Sequence, residues 1–188
     1  EIMELVRQSI KKVAENAQKA AQREKEAIGA IMEGLVLSGI AMSYIGNSRP
    51  ASGSEHHMSH YWEMMFLLDG QPDPLHGTKV GIGTVMSIRL YEMLKEKRDA
   101  LFPLKAPAFD YDLWAEKIKE AYGPAAPGVL ELEKKIGKNS DQEVLRRREA
   151  FRTHEEEIFQ VIDELPKAEE IIEILKSMEA PYYPDQIN

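Results

Sequence analysis

Residues 27–42 read Ala-Ile-Gly-Ala-Ile-Met-Glu-Gly-Leu-Val-Leu-Ser-Gly-Ile-Ala-Met. A helix built from this stretch carries apolar side chains on nearly every face, so it predicts a helix within 24–45 that is central to a helical bundle. Its glycines, Gly29, Gly34 and Gly39, each cost a helix about 1 kcal/mol relative to alanine. We therefore expect a neighbouring element to approach the backbone closely at these three positions.

The segments on either side of this helix also show helical patterns. Apolar residues spaced by three and four predict a first helix over 2–22. A capping box of Ser52 with Glu55 predicts a helix that ends at Leu68, and a second box of Ser140 with Glu143 begins a long polar helix. Further helices are expected over 75–98, over 110–122, in a short segment that ends at 136, and after 166. No stretch alternates as a strand would, so the sequence predicts an all-α helical bundle.

Composition limits the architecture and the function. The chain has 188 residues, 43% hydrophobic and 30% charged, which suits a single all-helical domain. We expect core helices over 1–103 and outer helices over 104–188. The net charge of −8 argues against a nucleic-acid partner or an anionic membrane surface. The chain has no cysteine, which excludes disulfides and thiolate chemistry, and we expect a cytoplasmic protein without membrane insertion.

The amino terminus predicts a truncated chain. The helix over 2–22 has no Ser, Thr, Asp or Asn before Ile2 to cap it, and position 1 is not methionine. We expect that the chain is a fragment of a longer protein, cut within or just before a helix.

The main chemical signal is a cluster of histidines. Four of the five lie within 21 residues, at His56, His57, His60 and His76. His56 and His60 share one face of a helix, where two imidazoles can chelate a metal ion. The residue after His56 is not glutamate, which excludes a zinc-protease motif, and no histidine follows a glutamate by three residues, which excludes a carboxylate-bridged di-iron bundle. The spacing alone does not show whether His76 joins the other two, and packed core or surface histidines remain an alternative.

The loop before the cluster suits an anion. Arg49 offers a guanidinium, Ser52 and Ser54 offer hydroxyls, and the following helix begins with free backbone amides, a combination that can bind a phosphate ester. Lys79, one turn after His76, is a second candidate cation, although we expect it to be an ordinary exposed lysine.

Several of these strings together resemble one family. They are Ser38-Gly39-Ile40-Ala41-Met42, Ser48-Arg49-Pro50-Ala51-Ser52-Gly53-Ser54-Glu55-His56, Ser59-His60, and Leu75-His76-Gly77 followed by Val80-Gly81-Ile82-Gly83-Thr84. They resemble the sn-glycerol-1-phosphate dehydrogenase family, which belongs to the iron-containing alcohol dehydrogenase and glycerol dehydrogenase superfamily. The match in these motifs covers about 27–84.

The resemblance implies a two-domain enzyme with a dehydroquinate synthase-like fold, of which this chain is the C-terminal helical domain. The implied reaction is reversible reduction of dihydroxyacetone phosphate to sn-glycerol 1-phosphate with NAD(P)H. The implied cofactor is a divalent metal, Zn²⁺ or Ni²⁺, held by His56, His76 and an aspartate, with His60 as a proton relay. Arg49, Ser52 and Ser54 would bind the phosphate of the phosphorylated substrate.

The sequence departs from this family at its N-terminal side. It contains no counterpart of the metal-binding aspartate and no glycine-rich pyrophosphate loop, because Gly81-Ile82-Gly83 lacks a third glycine and follows no strand. We therefore expect NAD(P)H to bind to a missing N-terminal domain, the fragment alone to be inactive, and the whole enzyme to be a homo-oligomer. The alternatives are a glycerol or other polyol dehydrogenase, and a non-catalytic helical metal-binding or interaction domain.

Overall fold

The computed structural model describes residues 2–101 and 109–187, and its regular elements are helical. The α-helices are α1 (Ile2–Ala21), α2 (Lys25–Ile45), α3 (Ser54–Leu68), α4 (His76–Glu96), α5 (Tyr111–Tyr122), α6 (Ala126–Ile136), α7 (Asp141–Thr153), α8 (Glu155–Asp163) and α9 (Ala168–Ser177). Short 3₁₀ turns occur at Arg98–Ala100, Gly123–Ala125 and Pro184–Gln186. The prediction of an all-α fold is confirmed.

The chain divides into two compact units. One contains residues 2–90 together with 166–187, and the other contains residues 91–165. The expected boundary between core and outer helices, at 103/104, lies outside the described residues. The assignment of the whole chain to one metal-binding domain stays a prediction.

Within the first unit, α1 packs against α2 along a row of small residues. Ala27, Gly34 and Ala41 are buried and recur every seven residues, so they lie on one face of α2. Ser9 of α1 donates a hydrogen bond to the Gly34 carbonyl at 2.7 Å. A Cβ on Gly34 would lie 2.9 Å from Val13 Cγ2 and 3.2 Å from the Ser9 carbonyl oxygen, so any larger residue would force α1 and α2 to shift.

The other two glycines of α2 do not have this role. A Cβ at either Gly29 or Gly39 would meet no atom within 4 Å. The expected close approach is therefore confirmed at Gly34 and is wrong at Gly29 and Gly39. Gly34 lies in the contact between α1 and α2, whereas Gly29 and Gly39 do not. The sequence alone does not reveal this difference.

The larger apolar side chains of α2 lie on its exposed surface. They include Ile28, Met32, Leu35, Val36 and Ile40. By length and composition alone, α2 could cross a membrane, with a mean hydropathy of 1.6 over its most apolar window. One such helix is weak evidence, since core helices of soluble proteins and signal sequences pass the same test.

The core that supports the candidate site lies between α4 and α9. Val85 and Ile88 of α4 pack with Ala168 and Ile172 of α9, and all four are buried. Around this cluster lie the partly buried side chains of Ile171, Leu175, Tyr182 and Tyr183. The core therefore anchors the middle of α4 and leaves its first turns available for a site.

The second unit differs from the sequence prediction at one helix. Ser140 caps α7 as predicted, because its hydroxyl accepts a hydrogen bond from the Glu143 amide. The long helix expected from Ser140 is interrupted at His154, where α7 ends and α8 begins. Arg98 stacks over the buried ring of Phe159 and forms ion pairs with Glu155 and Glu156 at the start of α8. These contacts hold α8 in place independently of α7.

Candidate metal centre

Helix α3 begins at Ser54, with Gly53 as its N-cap residue. The predicted box of Ser52 with Glu55 is therefore wrong by one residue. The Gly53 amide instead donates to Glu55 Oε1 at 2.7 Å, so a side chain in the first turn of the helix satisfies the amide. This contact places Glu55 and His56 side by side at the start of α3.

The loop after α3 returns the chain to the middle of that helix. Leu68 lies about 14 Å beyond Ser59 along the helix axis, at about 1.5 Å per residue. Residues 69–75 cover this return, and His76 at the start of α4 lies with its Nδ1 3.3 Å from Ser59 Oγ. The loop therefore brings His76 to the middle of α3, which the sequence spacing alone could not establish.

Three imidazole rings meet at this place. The ring centroids of His56 and His76 are 5.2 Å apart, those of His60 and His76 are 5.6 Å apart, and those of His56 and His60 are 6.2 Å apart. The exposed His57 lies outside the group, and His154, in the other compact unit, pairs with Glu157 of α8. The structure thus brings together the three histidines that the sequence analysis selected.

The carboxylate of Glu63 joins two of these rings. Its Oε1 lies 2.7 Å from His76 Nδ1, and its Oε2 lies 2.8 Å from His60 Nδ1. Hydrogen bonds from His76 and then from His60 outweigh the opposing effect of burial and lower the pKa of the Glu63 carboxyl to about 2. Glu63 is therefore ionised at neutral pH and acts as an acceptor toward both rings.

Lys79 is completely buried, and the expectation of an exposed lysine is wrong. Its Nζ donates to Asp73 Oδ1 at 2.5 Å and to the Pro74 carbonyl at 2.6 Å, and it lies 3.6 Å from Glu63 Oε1. This lysine therefore fastens the returning loop to α4 and places a positive charge behind Glu63.

His56 has its own carboxylate partner. Its Nδ1 lies 2.8 Å from Glu55 Oε1. Burial opposes ionisation of Glu55, but hydrogen bonds with His56 and Gly53 outweigh it and lower the pKa of the carboxyl. A Cβ on Gly83 of α4 would lie 2.7 Å from the Glu55 carbonyl oxygen, so this glycine lets the two helices approach at the start of α3.

The candidate phosphate residues have separate local roles. Arg49 is exposed, and its amide donates to Asn47 Oδ1. Ser52 is half-buried, whereas Ser54 donates its hydroxyl to Ser87 Oγ of α4 at 2.9 Å. The assignment of all three residues to a substrate phosphate therefore stays a prediction. The ionised Glu55 beside them disfavours an anion at the Gly53 amide.

Curated proteins named glycerol-1-phosphate dehydrogenase [NAD(P)+] resemble the chain. One from Halalkalibacterium halodurans is 30% identical over 177 residues, which make up 94% of this chain and 35% of the relative. One from Pyrococcus horikoshii is 41% identical over 106 residues, which make up 56% of this chain and 30% of the relative. The chain is homologous to the glycerol-1-phosphate dehydrogenases.

The chain spans about a third of the length of these two glycerol-1-phosphate dehydrogenases. No family model matches it. No solved structure matches it either.

The donor groups at the histidine cluster fit the divalent metal that resemblance to glycerol-1-phosphate dehydrogenases implies. Zn–N bonds of about 2.0–2.1 Å place two imidazoles on one tetrahedral ion with ring centroids about 5 Å apart. The 5.2 Å separation of His56 and His76 matches this spacing. His60, Glu63 and His76 also offer ligand atoms within 4.8 Å of one another. The choice of His56 and His76 as ligands stays a prediction, as does the role of His60.

Sequence reasoning missed Glu63, although a signal for it was present. The di-iron motif has glutamate three residues before a histidine, whereas Glu63 lies three residues after His60. Either order places the two side chains on one face of a helix. The second contact of Glu63, with His76, depends on the loop and has no local signature.

Proposed function

We propose that this chain is the metal-binding helical part of an NAD(P)-dependent sn-glycerol-1-phosphate dehydrogenase, which interconverts dihydroxyacetone phosphate and sn-glycerol 1-phosphate. The convergence of three imidazoles, on a chain homologous over 94% of its length to an enzyme of that name, carries the proposal. NAD(P)H would bind to the part of the parent enzyme that precedes this chain, and the parent would act in the cytoplasm as a homo-oligomer.

His56 and His76 would hold Zn²⁺ or Ni²⁺, with the remaining ligand supplied from outside this chain. When bound, the ion acts as a Lewis acid that stabilises negative charge on the substrate oxygen during hydride transfer. His60 would act at its Nε2 atom, which would accept the proton of the sn-glycerol 1-phosphate hydroxyl during oxidation and return it to the same oxygen during reduction. Its exposed side chain, which contacts Glu63, leaves the ring accessible to a substrate. Arg49 and Ser52 would bind the phosphate group.

The proposal is tested in the full-length parent enzyme by assaying dihydroxyacetone phosphate reduction and metal content together. His56→Ala and His76→Ala should each lose nearly all activity and most of the bound metal, since each removes one of the few protein ligands. His154→Ala is the matched control, because His154 is exposed and belongs to the other compact unit, and it should change neither quantity. Full metal content in either of the first two variants would contradict the ligand assignment.

The same assay separates this proposal from a polyol dehydrogenase. Arg49→Ala should raise the KM for dihydroxyacetone phosphate and leave the turnover of unphosphorylated glycerol unchanged, because the guanidinium meets only a phosphate group. An equal loss with both substrates would reject Arg49 as a phosphate ligand. Turnover of glycerol but not of the phosphate ester by the unchanged enzyme would favour the polyol alternative.

A further inference from the structure

We propose that Glu63 is a positioning residue that holds His60 and His76 in the tautomer with the proton on Nδ1. Both rings thereby present the lone pair of Nε2. The tautomers do not depend on whether the parent is a glycerol-1-phosphate dehydrogenase. Only their consequence for catalysis rests on the proposed function.

Hydrogen-bond chemistry determines which nitrogen of each ring carries the proton. An ionised carboxylate has two oxygens that only accept hydrogen bonds. Each Glu63 oxygen lies within 2.8 Å of a ring nitrogen, Oε1 with His76 and Oε2 with His60. Both nitrogens must therefore donate, which places the proton of each neutral imidazole on Nδ1.

The tautomer determines what each ring can bind. A neutral imidazole protonated on Nδ1 has its lone pair on Nε2, the nitrogen that can bind a cation or accept a proton. Metal-binding histidines are commonly fixed in this way by a carboxylate on the opposite ring nitrogen. Here one carboxylate serves two rings, His76 as proposed ligand and His60 as proposed proton relay, so a single side chain prepares both for their tasks.

Ser59 and Lys79 hold the Glu63 carboxylate in place. Glu63 lies on α3 with a half-buried side chain, and Ser59 Oγ, one turn earlier, donates to its Oε1 at 3.3 Å. The ammonium of the buried Lys79 lies 3.6 Å from the same oxygen. The two carboxylate oxygens are thus distinguishable, because Oε1 faces a positive charge and a hydroxyl whereas Oε2 faces His60.

This asymmetry predicts the effect of Glu63→Gln, which preserves shape but replaces one acceptor by a donor. The amide oxygen should take the Oε1 position beside Lys79, because an NH₂ group there would face an ammonium. The NH₂ group would then point at His60 Nδ1 and, because it can only donate, would require that nitrogen to accept. We therefore expect His60 to change to the Nε2-protonated tautomer and His76 to keep the proton on Nδ1.

The test is a long-range ¹H–¹⁵N NMR spectrum of the imidazoles, recorded on the 188-residue chain without metal. In the unchanged protein, His60 and His76 should both show protonated Nδ1 and unprotonated Nε2. In Glu63→Gln, the His60 pattern should reverse. A spectrum of the unchanged protein in which either neutral ring carries its proton on Nε2 and not on Nδ1 would overturn the proposal without recourse to a variant.

Zn²⁺ titration of the same samples gives a second readout. Glu63→Gln should bind Zn²⁺ about 10–100-fold more weakly, the usual effect of losing a carboxylate behind a ligating histidine. If Glu63 only supported the fold, the isosteric glutamine would leave both the Zn²⁺ affinity and the His60 tautomer unchanged, and this result would reject the proposal.

Glu157→Gln is a matched control. Glu157 follows His154 by three residues, just as Glu63 follows His60, and its Oε2 lies 3.1 Å from His154 Nδ1 on the exposed surface of α8. This variant should leave the His60 and His76 signals and the Zn²⁺ affinity unchanged.

In the parent enzyme, Glu63→Gln should lower kcat more than it raises KM. A parent without dihydroxyacetone phosphate reduction would reject the proposed function, but the tautomer result would still stand.

Discussion

Lys79 is buried because the chain around it supplies three oxygen partners. An ammonium removed from water is stable only where hydrogen bonds and opposite charges replace its hydration. Asp73, the Pro74 carbonyl and Glu63 provide this replacement within the span from α3 to α4. Lys79 thus links the loop at 69–75 to Glu63, the carboxylate that contacts the histidines.

We predict that Lys79→Met destabilises the protein by about 2–4 kcal/mol, because two charge-assisted hydrogen bonds are lost while the apolar side chain keeps most of the volume. Urea unfolding monitored by circular dichroism measures the change. Lys119→Met is the control, since Lys119 is exposed and pairs with Glu116 one turn away. It should leave the unfolding midpoint unchanged, and equal midpoints for the two variants would show that burial of Lys79 contributes nothing.

Helix α2 has small side chains where it meets α1 and large apolar side chains on its exposed side. The contact between the helices depends on how closely the backbones approach, which the hydrogen bond from Ser9 to the Gly34 carbonyl illustrates. A side chain at position 34 would separate the helices, whereas one at position 29 would extend into open space.

We predict that Gly34→Ala is less stable than Gly29→Ala by about 1–3 kcal/mol, the usual cost of overpacking. Both variants gain the same helix propensity, about 1 kcal/mol, so their difference isolates the cost of contact with Val13 and the Ser9 carbonyl. Chemical denaturation of the two variants measures it. Gly29→Ala should exceed the unchanged protein in stability, and indistinguishable variants would contradict the close approach at Gly34.

At the scale of the whole molecule, the described candidate ligands belong to one of the two compact units. His56, His60 and His76 all lie between residues 54 and 76, within the unit that contains residues 2–90 and 166–187. A ligand that binds only the folded state stabilises the elements that hold it. Metal binding should therefore slow the opening of α3 and the first turns of α4.

We predict that Zn²⁺ at 100 times its dissociation constant slows amide hydrogen exchange in these helices about 100-fold, equivalent to about 2.7 kcal/mol. Mass spectrometry of peptides from the 188-residue chain measures the change. Peptides from α6 and α7, which offer no predicted ligand, should exchange as before, and the His76→Ala variant should lose the effect. Slowing of equal size in every helix, or in none, would contradict a metal centre at this place.

Much of the fold follows from local sequence signals. Periodicity and capping residues act over three or four positions, so they identified most of the helices and the cap at Ser140. The same signals predicted one helix where α7 and α8 are separate. The break at His154 coincides with anchoring of α8 by Arg98, a residue far away in the sequence.

The sequence by itself determined the helical class, the homology and the choice of the three histidines, because these depend on residue identity and short spacings. Only the tertiary structure decided that His76 meets His56 and His60, that Glu63 links two of the rings and that Lys79 is buried. Each of these contacts depends on the path of residues 69–75, and no local pattern specifies where a loop places the helix that follows it.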